Sequence, residues 1–245
     1  TKGRAFCSPR IREIMTLTQI RTEIRNITGV EDTSVVADSV LTDLINKAQI
    51  ILADEANLFY GYATRNSVAG TGEYQILTGN SVTANTWTVV ENPAPGTSDT
   101  SQNLANMTRI YRIDFGGDQM TRIGMDQIHN ISSNVGDVQM PSAHGYYIND
   151  ISLGIFPIPQ VVKEIKVYYY HLPTALDGDN DVPMIDTRYH ECLVYYGSWK
   201  TAERLRDMNM ISYFKNEWLE WKEKVVMDRQ RRAGEPKFSI NYKDF

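Results

Sequence analysis

The chain has 245 residues, 42% of them hydrophobic and 22% charged, the balance of a folded globular protein large enough to bury a core. Its 30 acidic residues outnumber 25 basic ones. The resulting net charge of −5 argues against nucleic acid as the main partner, because such sites need a Lys/Arg surplus to displace counterions. No apolar run approaches the ~20 residues of a membrane span, the start TKGRAFCSPRIREIM has no signal-peptide core, and the distant Cys7 and Cys192 read as a reduced pair.

Residues 1–15 mix Lys2, Arg4, Arg10 and Arg12 with Gly3 and Pro9, and read as an arm without its own core. Thr16-Leu17-Thr18-Gln19 fits a capping box, in which Thr16 receives a backbone N–H and Gln19 reaches back. Leu17, Ile20, Ile24 and Ile27 then form one apolar helical stripe, stopped by Gly29. A second helix is expected over about Val35–Tyr60. Val40, Leu44, Ala48, Ile51 and Leu58 form its face, broadened by Leu41, Ile45 and Leu52, so it should pack on more than one neighbour.

From Thr64 to about Thr108 the composition shifts to Gly, Ser, Thr and Asn, with loop chemistry at Pro93–Ser98. Short strands are expected at Tyr74–Thr78 and Thr86–Val90. Met107–Phe115 alternates as a strand, Gly116-Gly117-Asp118 turns, and Met120–Met125 returns as the second hairpin arm. One helical turn is expected around Ile128 and Ile131.

The stretch from Tyr146 to Leu176 reads as a compact β-unit. Tyr146–Ile148 and Ile151–Phe156 are strands joined at Asn149-Asp150, and Pro157 and Pro159 forbid further ladder pairing. Val161–Tyr170 alternates as a half-buried strand whose charged residues lean to water, and Pro173 ends it. An acidic turn, Asp177-Gly178-Asp179-Asn180-Asp181, leads to a helix capped by Asp186 or Thr187. Its inner face is Tyr189, Cys192, Leu193, Tyr196, Trp199, Ala202 and Leu205. Asp207-Met208-Asn209 interrupts the pattern before Ile211, Phe214, Trp218, Trp221 and Val225, leaving one long helix and two helices as equal alternatives. Arg229-Gln230-Arg231-Arg232 precedes the stop Ala233–Pro236. The tail 237–245 alternates Phe238, Ile240 and Tyr242 with polar residues and ends in Phe245, a pattern that asks for a partner on another subunit.

Catalytic and metal chemistry finds little support. His129, His144, His171 and His190 have no metal-ligand spacing, and the cysteines form no Cys-x-x-Cys. His190-Glu191-Cys192 are helix neighbours on different faces, and Cys192 reads as a small core residue. Gly70-Thr71-Gly72 lacks the third glycine of a dinucleotide loop, with Gln75 in its place, and neither Gly-x-Ser-x-Gly nor a P-loop occurs. Asp177, Asp179 and Asp181 have the opening spacing of a calcium loop, but Val182 and Arg188 stand where its glycine and its bidentate Glu belong. A solvated turn is the plainer reading, adventitious calcium comes next, and contact with a neighbouring subunit's basic residues is a further alternative. No cofactor is expected. The concentration of Tyr and Trp exceeds core needs and suits subunit interfaces.

The paired short strands with Tyr147 and Leu153, then Pro157 and Pro159, Tyr168-Tyr169-Tyr170-His171-Leu172-Pro173, the acidic turn, and the helix with Tyr189, Leu193 and Tyr196 together resemble the head–tail connector adaptor proteins of tailed bacteriophages. The resemblance is strongest over 146–230, weaker over 16–60, where Leu44–Gln49 matches a helix of those adaptors, and slight over 64–107. It implies a structural virion protein of the neck, made in the host cytoplasm and without enzymatic activity. Such proteins form a ring, usually of twelve copies, beneath the portal protein. They join the capsid to the tail or to the next neck protein (stopper, nozzle or tube). Genomic DNA passes through without sequence-specific binding, and no membrane is involved. The long β-insert departs from the simplest all-helical adaptors.

The expected fold is α+β: an antiparallel helical bundle from the N- and C-terminal segments with a central inserted antiparallel β-domain. The segments are 1–63 (arm and helices), 64–176 (β-rich insert), 177–232 (C-terminal helices) and 233–245 (extended tail). The expected interface residues are Arg229, Arg231, Arg232, Phe238, Ile240, Tyr242, Phe245, Asp177, Asp179 and Asp181. The rival function is a tail or baseplate receptor- or carbohydrate-binding module, and a hydrolase is a distant third.

Overall fold

The computed structural model describes residues 14–30, 32–76, 87–92, 107–124, 145–149 and 152–232, with backbone alone for 88–92 and for Arg232. The expected helical turn near Ile128 and Ile131, the arm before Ile14 and the tail 237–245 lie outside these residues. The fold is α+β, in two compact units: the chain up to Leu58 together with the chain from Pro173 onward, and Phe59–Leu172 between them.

In the first unit, α1 (Leu17–Thr28) begins at the capping box expected from its sequence. Thr16 N–H donates to Gln19 Oε1 at 2.8 Å and Gln19 N–H to Thr16 Oγ1 at 3.4 Å. Gly29, with φ of 69°, ends the helix in the left-handed conformation that glycine adopts without strain. The second helix, α2 (Asp38–Ala56), is shorter than its apolar pattern predicts, because Asn57 closes it with φ of 48°. Tyr60 therefore starts a strand instead of ending a helix. The buried line of α2 runs through Leu41, Ile45, Ala48 and Leu52, while Val40, Leu44 and Ile51 sit at its margins.

After a 3-10 turn at Thr187–Tyr189 capped by Asp186, α3 (His190–Leu205) packs against α1, α2 and α4 (Met208–Arg232). The interruption near Asp207 resolves as two helices. Arg206 takes a left-handed φ of 60°, and Asp207 Oδ1 accepts from the N–H groups of Asn209 and Met210, capping α4. Tyr196 on α3 meets Trp218 on α4 at 4.8 Å between ring centroids. Helix α1 crosses α3 at Gly197, where a Cβ would lie 2.4 Å from Cδ1 and 3.1 Å from Cγ1 of the buried Ile24. A mid-helix glycine costs about 1 kcal/mol relative to alanine, and close helix approach is what it supplies here. Gly197→Leu should lower stability by about 1–3 kcal/mol through overpacking. Chemical denaturation checks this, and an unchanged midpoint would contradict the close approach.

The second unit holds two sheets. One has the order β3-β1-β9-β4-β5, formed by β1 (Tyr60–Asn66), β3 (Thr88–Asn92), β4 (Met107–Phe115), β5 (Asp118–Gln119) and β9 (Glu164–His171), all antiparallel. The other has the order β2-β8-β7-β6, formed by β2 (Glu73–Gln75), β6 (Thr121–Arg122), β7 (Gly145–Asn149) and β8 (Ser152–Phe156). The chain enters along β1 and leaves along β9, side by side, with Tyr60 opposite Tyr170. One core joins both sheets: Ile113, Phe115, Ile165, Val167 and Tyr169 from the first, Tyr74, Leu153 and Ile155 from the second.

The expected hairpin after Gly117 is only two residues long on its return arm. Met120 then turns into the core, and Thr121–Arg122 joins the second sheet as β6, parallel to β7. The strand expected from Val161 starts instead at Glu164. Val161 and Val162 belong to the exposed connection after the two prolines, where Ser67 Oγ donates to Val161 C=O and accepts from Lys163 N–H. From Glu164 onward the alternation holds, with Ile165, Val167, Tyr169 and His171 buried.

Candidate interaction surfaces

The acidic turn is a structural bracket for α1. A helix start leaves its first N–H groups without partners inside the helix. The Leu17 N–H donates to Asp181 C=O at 2.8 Å, and Thr18 donates to Asp179 C=O through both N–H (3.2 Å) and Oγ1 (2.9 Å). Asp181 Oδ2 accepts from the N–H groups of Asp177 and Gly178, and these bonds hold its carboxyl below the usual range. Arg21 Nη1 reaches Asp179 Oδ1 at 2.9 Å, yet the Asp179 side chain stays 75% exposed. Asp177 is exposed, with no side-chain partner among the described residues. The turn is thus tethered by hydrogen bonds and presents the Asp177 and Asp179 carboxylates outward.

The basic run ends α4 beside a cleft of about 370 Å3, lined by Arg188, Tyr189, Trp221, Lys224, Asp228 and Arg231. Arg188 is held by Asp186 through two bonds of 3.0 and 2.8 Å, and by Asp228 at 3.6 Å. Tyr189 OH donates to Asp228 Oδ2, and burial followed by this bond pushes its phenol up to about 12. Lys224 Nζ lies 4.9 Å from the Trp221 ring centre. Arg229 turns away from the cleft and donates from Nε to the Asn57 carbonyl at 3.2 Å. Of the three arginines expected at an interface, Arg231 is the exposed one at the cleft, Arg229 is engaged within the helical unit, and the Arg232 side chain lies outside the description. Phe238, Ile240, Tyr242 and Phe245 also lie outside it.

A third surface was legible only in part. Tyr60 and Tyr62 on β1, Tyr168 and Tyr170 on β9 and Tyr111 on β4 line one face of the five-stranded sheet. Ring centroids are 6.1 Å apart for Tyr62–Tyr168, 5.9 Å for Tyr111–Tyr168 and 5.1 Å for Tyr111–Tyr170. Lys166 Nζ sits 4.0 Å from the Tyr62 centroid and Arg112 Cζ 5.5 Å from that of Tyr168. Arg112 also grips Asp114 at 2.6 and 2.9 Å. Arg109, opposite Tyr170, is exposed and has no ion pair or hydrogen bond among the described residues. Partial burial, then the neighbouring tyrosines, raises the Tyr111 phenol, so the hydroxyl remains a donor. The pairs at 60/62 and 168/170 carry the period-2 signal of a shared strand face; reading Tyr60 as a helix end hid the first pair.

Histidine and cysteine serve the core. His190 accepts from the Met15 N–H at Nδ1 (3.1 Å) and bonds the Ile185 carbonyl through Nε2 (3.0 Å), the pattern of a neutral ring, and burial lowers its pKa. Cys192 is fully buried, and desolvation raises its thiol pKa. His171 is buried next to Tyr169, while His129, His144 and Cys7 lie outside the described residues. Among the described residues no group of three or more His, Cys, Asp or Glu is placed to hold a metal, and no helix is long and apolar enough to cross a membrane.

No curated protein matches this chain. The family model described as SU10 adaptor protein matches residues 15–236, spanning both the helical unit and the β-unit. The chain therefore belongs to the SU10 adaptor protein family, and is a structural adaptor of bacteriophages.

Proposed function

We propose that the protein forms a ring, of twelve copies, that joins the portal vertex of the capsid to the tail and continues the DNA channel in the neck of the virion. The family match over residues 15–236 carries this reading. The surfaces support it. A ring of identical subunits needs two different complementary patches on each copy. The helical unit offers an outward acidic turn and a basic-aromatic cleft, and the β-unit offers a tyrosine–cation face. The net charge of −5 keeps affinity for passing DNA low. Assembly alone is the role, without catalysis. In the ring the tail residues Phe238, Ile240, Tyr242 and Phe245 take their partner from a neighbouring copy or from the portal, as a sheet edge or groove would provide.

The mass of the purified particle, alone and mixed with portal protein, tests the reading. A species of twelve chain masses is expected, and deletion of 235–245 should abolish it while leaving the melting temperature of the chain unchanged. A protein that stays monomeric in both conditions would overturn the ring.

A further inference from the structure

We propose that the tyrosine–cation face of the five-stranded sheet is a subunit-contact surface, and that its occupant is the acidic turn of a second copy, engaged through Asp177. The inference rests on the ring reading and names one of its contacts.

The face has the composition of a binding hot spot. Tyrosine and arginine are enriched at the centre of interfaces because a rigid ring or guanidinium covers much area at small entropic cost. Tyr60, paired on both sides in β1, is 43% exposed, and Tyr111, at the irregularity of β4 between Ile110 and Arg112, is 45% exposed. An isolated exposed tyrosine is unremarkable, but this group is contiguous, with each ring within 6.1 Å of another along Tyr62–Tyr168–Tyr111–Tyr170.

Charge selects the occupant. Lys166 and Arg112 lie over the rings; among the described residues Arg112 is paired with Asp114, while Arg109 and Lys166 have no ion pair. Their ammonium and guanidinium groups, flanked by phenolic donors, call for an acceptor-rich partner. Duplex DNA needs many phosphate contacts to bind at physiological salt, more than three cations on a flat face supply. A polypeptide carboxylate needs one or two. The chain itself carries a surplus of acid, 30 acidic to 25 basic residues, so a second copy brings the required charge.

Within that surplus the turn offers carboxylates on a hydrogen-bonded backbone. Asp38 is tied to Arg25 and Glu55 to Lys222. Asp177 has no side-chain partner among the described residues, and the turn beneath it is fixed by the bonds to Asp181 Oδ2 and by the α1 N–H groups. A fixed turn loses little entropy on docking. The contact is heterologous, joining unlike surfaces, as a closed ring requires.

The test is a charge exchange in the full-length chain, read as particle mass and self-association constant by sedimentation. Arg109→Glu and Asp177→Lys each reverse an exposed charge that bonds nothing within the described residues, so folding should be unaffected, as melting checks. Each alone should weaken association at least about tenfold, and wild-type association should weaken as salt rises. The double variant Arg109→Glu with Asp177→Lys should recover most of the loss. Tyr111→Ala, which leaves charge untouched, should also weaken association. Wild-type rings with all variants unaffected would overturn this contact and leave the ring reading standing. Single reversals that weaken association without recovery in the double variant would overturn Asp177 as the partner. Loss of binding to a duplex DNA probe in Arg109→Glu, with assembly intact, would make DNA the occupant. A wild-type chain that never associates would overturn the ring itself.

Discussion

Trp218→Ala should remove about 3–5 kcal/mol from the stability of the helical unit, the usual cost of deleting a buried tryptophan. Trp218 is 3% exposed on α4 and meets Tyr196 of α3 edge-on, at 4.8 Å and 61°. Such pairs contribute about 0.5–1.5 kcal/mol beyond the area they bury. Tyr196 in turn stands perpendicular to Trp199, at 5.6 Å and 87°, and Lys200 covers Trp199 at 3.7 Å. The truncation therefore unseats a chain of rings, not one side chain. Its effect is large because α4 has few alternatives: Phe214, Trp218 and Val225 are its buried apolar residues, and its other described positions are exposed or half-buried. A helix of this kind owes its stability to packing more than to its own propensity. Urea denaturation followed by tryptophan-independent far-UV signal measures the loss. A change below about 1 kcal/mol would mean that α3 and α4 do not pack through this pair.

Features set by neighbours in sequence were legible, and features set by distant backbone were not. The capping box at Thr16, the stop at Gly29 and the buried alternation of β9 need only a few adjacent residues. Asp207 could be seen as an interruption, but whether it kinked or ended a helix depended on Arg206 adopting a left-handed conformation, which an arginine does not announce. Asn57 ends α2 in the same way, and with it Tyr60 passes from helix to strand. The acidic turn was visible as an acidic turn. Its role was not, because the Leu17 N–H and the Asp181 carbonyl are joined only by the fold. Likewise Arg188 and Arg231 line one cleft although an entire helix separates them, and only Arg231 stood in a recognisable charge run. The resemblance to phage adaptors came from the order of strands, prolines, acidic turn and helix, and the family match spans that same region. Interface residues follow less readily, since exposure of Tyr60 and Tyr111 is a property of the sheet rather than of their local sequence.

In the β-unit, Tyr74→Ala should cost about 3–5 kcal/mol, and Tyr74→Phe only about 1–2 kcal/mol. The difference separates two jobs of one residue. The ring is 1% exposed, opposite Leu153 across the β2–β8 ladder, with Arg65 over its face at 5.1 Å. Its hydroxyl donates to the Thr71 carbonyl at 2.8 Å and accepts from the Val68 N–H at 3.2 Å, so it closes the loop between β1 and β2 from inside. That loop is pinned on its other side as well, by Ser67 N–H to the Lys163 carbonyl at 2.8 Å and Gly70 N–H to the Pro159 carbonyl at 2.8 Å. Phenylalanine keeps the core filled but removes the hydroxyl partner of the Thr71 carbonyl and the Val68 N–H. Alanine does that and opens a cavity among Leu153, Ile155 and Trp87 as well. Equilibrium denaturation gives the two losses, and amide exchange reports the loop. The Val68 N–H should exchange faster in Tyr74→Phe while the β8 and β9 amides keep their protection. If phenylalanine proved as damaging as alanine, the hydroxyl bonds would dominate over the ring, and the core of this unit would lie elsewhere than at Tyr74.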